Sequence, residues 1–162
     1  MPSGIAHRRI AALALIVILA VVARHYEDLV SHLGVDPVFE YTFLFCLGIL
    51  TGTYLLSPDL DLAGSDPAKS WGIVQAIWLP YAKLFRHRGI SHVPVLGTLS
   101  RLIYLAIIVG LVWLAALSLA GEASSVSIPD PASLVTPGAI CLFSGLVASD
   151  LIHLVADRFF SS

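Results

Sequence analysis

Charge is what this sequence has least of. Only 20 of its 162 residues are ionised side chains, 9 basic and 11 acidic. An ordinary globular domain is about 25% charged, and the 12% found here leaves too little polar material to cover a water-facing surface. A soluble domain is excluded on that ground. The chain also lacks a basic excess: its net charge is −2, which argues against a nucleic-acid partner, whose binding surface is normally a basic patch. Cysteine is scarce as well. Two residues, Cys46 and Cys141, cannot make a disulfide framework, and both lie in apolar stretches where cysteine acts as a small packing residue. No internal repeat and no low-complexity tract is present.

Hydrophobic residues make up 57% of the chain. Four spans of about 20 residues use roughly half of this length, so the expectation is one all-α membrane domain over residues 1–162. The first apolar run, Ile10 to Ala23, is flanked by Arg8-Arg9 and Arg24. It reads as a signal-peptide core or as a retained helix lengthened by snorkelling arginines, and the retained helix is favoured. The other runs are Val38 to Leu56, Leu102 to Ala120, and Leu134 to about Val155. These predict four transmembrane helices at about 6–24, 38–56, 102–120 and 136–156, with a loop over 57–101. Within that loop Trp71 to Tyr81 is apolar but too short to cross. Asp66-Pro67 supplies an N-cap and a first-turn proline for it, and it reads as an interfacial helix anchored by Trp71, Trp78 and Tyr81.

Lysine and arginine are retained on the cytoplasmic side. With the N-terminus inside, eight basic residues (Arg8, Arg9, Lys69, Lys83, Arg86, Arg88, Arg101, Arg158) fall there, against Arg24 alone outside. Both termini are therefore expected in the cytoplasm.

In this topology three polar clusters share one depth. Ser57-Pro58-Asp59-Leu60-Asp61 follows the second helix. If the segment is extended, Asp59 and Asp61 point the same way; the alternative is a capped helix start with the acids in its first turn. Arg86-His87-Arg88-Gly89-Ile90-Ser91-His92 carries two histidines that Gly89 can bring together by a bend, or it is a basic segment for anionic headgroups. Asp150, His153 and Asp157 share one helical face. Acids within a span cost roughly 2.5–3.5 kcal/mol each near the bilayer centre, so they need a partner: a bound cation, or Arg158 and Arg101. Small-residue stripes, Gly48-x-x-x-Gly52 and Cys141-x-x-x-Gly145-x-x-x-Ser149, predict close packing of the second and fourth helices. Mixed carboxylate and imidazole donors suit one or two divalent ions such as Zn, Mn or Fe.

Together with the opening Met1-Pro2-Ser3-Gly4-x-x-His7, Trp78-Leu79-Pro80-Tyr81 and Gly97-Thr98-x-x-Arg101-x-x-Tyr104, these motifs resemble a bacterial integral-membrane family of uncharacterised metal-binding proteins. The proline-aspartate-x-aspartate and histidine-arginine-glycine motifs are similar to those of a group labelled membrane-bound metal-dependent hydrolases. The resemblance implies an inner-membrane metal site that includes His7, Asp59, Asp61, His87 and His92. A lipid-phosphate phosphatase is excluded, because its nucleophilic histidine and relay aspartate are missing among Leu102 to Leu111.

The reading that follows is a metal-dependent hydrolase acting on a phosphoester or lipid headgroup at the cytoplasmic face. Asp59, Asp61, His87, His92 and Asp150 are its expected ligands, with His7 added by the resemblance. His153 or Asp157 is expected as general base, and Arg86, Arg88 and Arg101 are expected to hold an anionic substrate. The alternative is a non-catalytic metal-binding membrane protein that uses the ion structurally, senses it or stores it. A transporter is disfavoured, because no chain of polar residues crosses the midplane.

Overall fold

The computed structural model describes residues 4–85, 89–121 and 130–160. Helices dominate, and no strand occurs among the described residues. Among the described residues seven α-helices follow in order: α1 (Gly4–Arg24), α2 (Tyr26–Leu33), α3 (Val35–Tyr54), α4 (Asp66–Lys69), α5 (Trp78–Leu84), α6 (Leu96–Leu119) and α7 (Pro137–Phe160). Short 3-10 turns at Pro58–Asp61, Gly72–Ile77, Ile90–His92 and Pro131–Leu134 connect them.

Three segments are long and apolar enough to cross a membrane: Val35–Asp61, Leu96–Leu119 and Pro137–Phe159. The pair His7–Arg24 and Tyr26–Leu33, bent by 69°, passes the same test jointly. The expected first helix is thus present, and it is followed by α2, an amphipathic helix that turns into α3 at Gly34. There φ is +88°, a region open to glycine because it has no Cβ.

The α3–α7 pair forms the spine of the molecule, with α1 against both. Their small-residue stripes meet face to face, as anticipated. A Cβ on Gly145 would stand 2.1 Å from the Phe45 carbonyl oxygen, and one on Gly48 would stand 2.3 Å from that of Leu142. Gly52 faces Ser149 in the same way, and Thr53 Oγ1 reaches Ser149 Oγ at 3.1 Å. Backbones this close gain dispersion contacts along their whole length without any polar driving force.

The connection from α3 to α6 is more compact than an interfacial helix would be. Trp78 and Tyr81 are not headgroup-level anchors. They are 2% and 0% exposed and pack with Leu56, Leu60, Ala68 and Leu146 in the main apolar cluster. Their rings interlock with Tyr104, whose hydroxyl donates to the Ile77 carbonyl. Trp71 Nε1 donates to the Leu55 carbonyl at 2.9 Å. The α4 N-cap is Ser65, one residue before the expected Asp66, and its Oγ accepts from Ala68 N–H. Helix α6 starts at Leu96, about two turns before the expected Leu102, because Gly97 lets its first turn press on Ser91. Its outer face, including Ile103, Ile107, Val112 and Trp113, is exposed.

The spine yields a stability prediction. Gly145→Val forces backbone apart from backbone, and its expected destabilisation is at least the ~3 kcal/mol typical of severe overpacking. Gly110→Ala on α6, where a Cβ meets nothing within 4 Å, is expected to be neutral or slightly stabilising. Thermal unfolding in detergent distinguishes the two. Equal melting temperatures for both variants would contradict the observed packing.

Candidate metal centre

Four elements bring their polar side chains to one end of the spine. The α3 backbone leaves the helix at Ser57, whose ψ of 151° is extended as the following proline requires. Pro58–Asp61 then forms a single 3-10 turn with proline at its start. Asp59 and Asp61 therefore sit on a helical turn, as in the alternative reading of this motif, and not on an extended segment. They nevertheless reach the same partner, His92. Nδ1 of His92 lies 3.3 Å from Asp61 Oδ2, and Nε2 lies 3.6 Å from Asp59 Oδ1.

Helix α7 supplies the other wall. His153 Nε2 stands 3.4 Å from Asp59 Oδ1 and 3.6 Å from Asp157 Oδ2. From α1, His7 stacks on the His153 ring at 4.3 Å, and its Nε2 lies 3.2 Å from Asp157 Oδ1. Two candidate ligand groups result, Asp59–His92–His153 and His7–His153–Asp157. They share one nitrogen. A neutral imidazole nitrogen has a single lone pair to offer, so His153 serves one ion.

The first group fits a divalent cation better. Asp59 Oδ1 and His153 Nε2 are buried without a hydrogen-bond partner, whereas His7 and Asp157 satisfy each other. Leaving buried polar atoms unpaired is costly, and a cation would satisfy both. The spacing agrees as well. Donors about 2.0–2.1 Å from an ion at tetrahedral angles lie about 3.3–3.4 Å from one another, against 3.4 and 3.6 Å here. Asp61 lies behind His92 in the manner of a carboxylate–histidine pair, which fixes the ring with Nε2 toward the cluster. Ser91 Oγ, fully buried, donates to that same Asp61 carboxylate.

The charge balance of the cluster shows in His92. Burial opposes its protonation, but the Asp59 and Asp61 carboxylates on its two nitrogens outweigh burial and raise its pKa from 6.5 to about 9. Without a metal bound, this imidazolium at neutral pH supplies the positive charge between the two carboxylates.

Two residues stand apart from their expected roles. Asp150, anticipated as a ligand, accepts from Thr98 Oγ1 at 2.6 Å and pairs with Arg101. Arg101, anticipated as a substrate-binding residue, is 1% exposed and has no accessible guanidinium face to offer an anion. Its second role is structural: Nη1 donates to the Ser91 carbonyl at 2.9 Å, holding the turn that carries His92. An Asp150–Arg101 pair was the alternative to a cation for this helix. His153, anticipated as a general base, belongs to both ligand groups. His87, Arg86 and Arg88 lie outside the described residues.

Sequence reasoning gave no site role to Ser91 or Thr98, and it gave Arg8 only a place at the end of the first helix and in the basic count. Thr98 and Arg101 are three apart and share a helical face once α6 is carried back to Leu96, which is the signal that was available. The turn beside them is strained: Val95 has φ +68° and ψ −58°, the uncommon form of γ-turn, closed by Leu96 N–H to the Pro94 carbonyl at 2.8 Å. Next to the cluster opens a cavity of about 170 Å³, whose walls include His7, Asp59, His153 and Asp157 together with Arg8 and Tyr54.

Two predictions follow from this geometry. Binding a metal must displace the proton from His92, so apparent metal affinity should rise about tenfold per pH unit from 7 toward 9. Conversely, the stability His92 lends the metal-free fold is complete below pH 6.5 and is lost as pH rises through about 9. Competition titrations and melting curves across that window measure both, and a pH-independent affinity would contradict the assignment. Separately, Asp150→Asn strands a buried guanidinium and should cost about 3–5 kcal/mol, whereas Asp59→Asn should remove metal with a far smaller loss of metal-free stability. Equal stability losses in the two variants would contradict their separate roles.

Comparison with known proteins places the chain among metal-binding proteins. A stretch of 66 residues is 50% identical to an uncharacterised protein of Aquifex aeolicus (strain VF5). It covers 41% of this chain and 47% of that relative, so the match spans about half the relative's length. No solved structure matches. The sequence profile of the family described as "Uncharacterized metal-binding protein (DUF2227)" matches residues 2–162. A profile that covers nearly the whole chain, over a cluster of converging imidazole and carboxylate donors, means that this chain belongs to the DUF2227 family of metal-binding proteins.

Proposed function

We propose that the protein is an integral membrane metal-dependent hydrolase acting on a phosphoester or lipid headgroup at the cytoplasmic face. The observation that carries this reading is the open side of the cluster. A structural metal site is closed by its four protein ligands, whereas a catalytic one keeps a position free. Here Asp59 and His153 line a cavity whose walls also include Arg8 and Tyr54.

Asp59, His92 and His153 hold the ion, and Asp61 holds His92. A divalent ion bound there would supply Lewis acidity toward a phosphoryl oxygen and toward a bound water. Asp157 lines the same cavity, bonded to His7 through one oxygen. That position suits it to take a proton from an attacking water and pass it to His7, which shares its hydrogen bond. The cavity, about 170 Å³, has room for a phosphate group.

Membrane insertion is part of the same proposal. It is supported by the three long apolar helices and by large apolar side chains exposed along α1, α3, α6 and α7. Arg8 at the cavity beside the cluster and Arg158 next to Asp157 in sequence support a cytoplasmic orientation of that end. The non-catalytic reading differs in one respect, that nothing turns over in the cavity.

The deciding experiment uses detergent-purified protein loaded with Zn, Mn or Fe and screened against phosphomonoesters, phosphodiesters and phospholipids. Hydrolysis that disappears in His153→Ala and falls by about 10²–10⁴-fold in Asp157→Asn is expected. Full metal occupancy with no turnover of any substrate would contradict the hydrolase reading and favour the non-catalytic one.

A further inference from the structure

We infer that Arg8 is the residue that grips the anionic group of the substrate, a phosphate oxyanion, in the cavity beside the cluster. The inference rests on the reading of that cluster as a metal centre with an accessible face. It replaces the expectation that Arg101 does this work, since Arg101 is buried and committed to Asp150.

Three observations meet at Arg8. It follows His7 on α1 and lines the same cavity as His7, Asp59 and His153. Its guanidinium lies over the Tyr54 ring, 5.3 Å from the centroid. That cation–π contact holds the guanidinium at the cavity wall without using its N–H groups. Among the described residues, finally, no carboxylate pairs with it. An arginine half-buried at a cavity wall and without a counter-ion is unusual, because such charges are normally paired. Asp66 borders the same cavity but is exposed, so water screens its charge.

The electrostatics explain why an arginine is needed there. Asp59, Asp61 and Asp157 carry three negative charges around one divalent ion, which leaves the cluster with no net attraction for a dianion. Arg8 adds a fixed positive charge to the wall of the cavity. Its fork matches two phosphate oxygens in the bidentate manner that lysine cannot reproduce. The phosphate can come from a lipid headgroup or from a soluble phosphoester, as the recognition chemistry is common to both.

The test uses full-length protein loaded with Co(II), with the visible cobalt absorption as readout while inorganic phosphate is added. The wild type should show a saturable spectral change. Arg8→Gln should take up cobalt within about twofold of wild type and require at least tenfold more phosphate; Arg8→Lys should fall between them. Phosphatidic acid in nanodiscs and glycerol 3-phosphate, used as competitors, identify a lipid or a soluble source. A wild type that binds cobalt but ignores phosphate, or an Arg8→Gln as sensitive as wild type, overturns the assignment and leaves the metal centre standing. Failure of the wild type to take up cobalt overturns the metal reading and this inference with it.

Discussion

The contact between the α3 and α7 backbones is the constraint on which the rest of the molecule depends. It needs glycine at both sides of the crossing, because a Cβ at Gly48 or Gly145 would penetrate the opposite main chain. That approach fixes the depth of everything beyond it. The turn at Pro58–Asp61 leaves α3 just where α7 presents His153 and Asp157, so Asp59 meets His153 at 3.4 Å. Helix α1 then only has to lie along the pair for His7 to stack on His153. A looser spine of ordinary side chains would separate the helices by several ångströms and leave each donor alone in an apolar setting.

Buried carboxylates at this end are handled in two ways, and the difference separates scaffold from site. Asp150 is matched within the chain by Arg101 and Thr98. The pair anchors α6 to α7 and, through the Ser91 carbonyl, fixes the turn that carries His92. Asp59 and Asp157 are matched by imidazoles only. Imidazoles can change charge and surrender a proton, so these two carboxylates stay available to a cation. The scaffold pair supports the exchangeable set from behind, which is the arrangement a preorganised metal site requires.

Much of this was legible in the sequence because its signals were local. Low charge and long apolar runs pointed to four helical segments, and the small-residue stripes at Gly48, Gly52, Gly145 and Ser149 pointed to the pairing of α3 with α7. The spacing of His153 and Asp157 placed them on one face. What escaped was decided by tertiary partners. Asp150 shares that helical face in sequence terms, but its carboxylate is taken by Arg101, a residue 49 positions away. Trp78 and Tyr81 look like interfacial anchors by residue type, yet they fill the space beneath Leu60 and beside Tyr104. Arg8 carried no motif of its own; only the cavity beside it and the ring of Tyr54 give it a role.

The central claim is that two imidazoles and at least one carboxylate hold a divalent ion, with no part for sulfur. Metal-edge X-ray absorption of the loaded protein tests it most directly. The account predicts nitrogen and oxygen neighbours at about 2.0–2.1 Å, the outer-shell scattering of two histidine rings, and loss of one ring in His92→Ala. Sulfur at about 2.3 Å, which only Cys46 or Cys141 could supply among the cysteines, or a spectrum unchanged by that substitution, would contradict it.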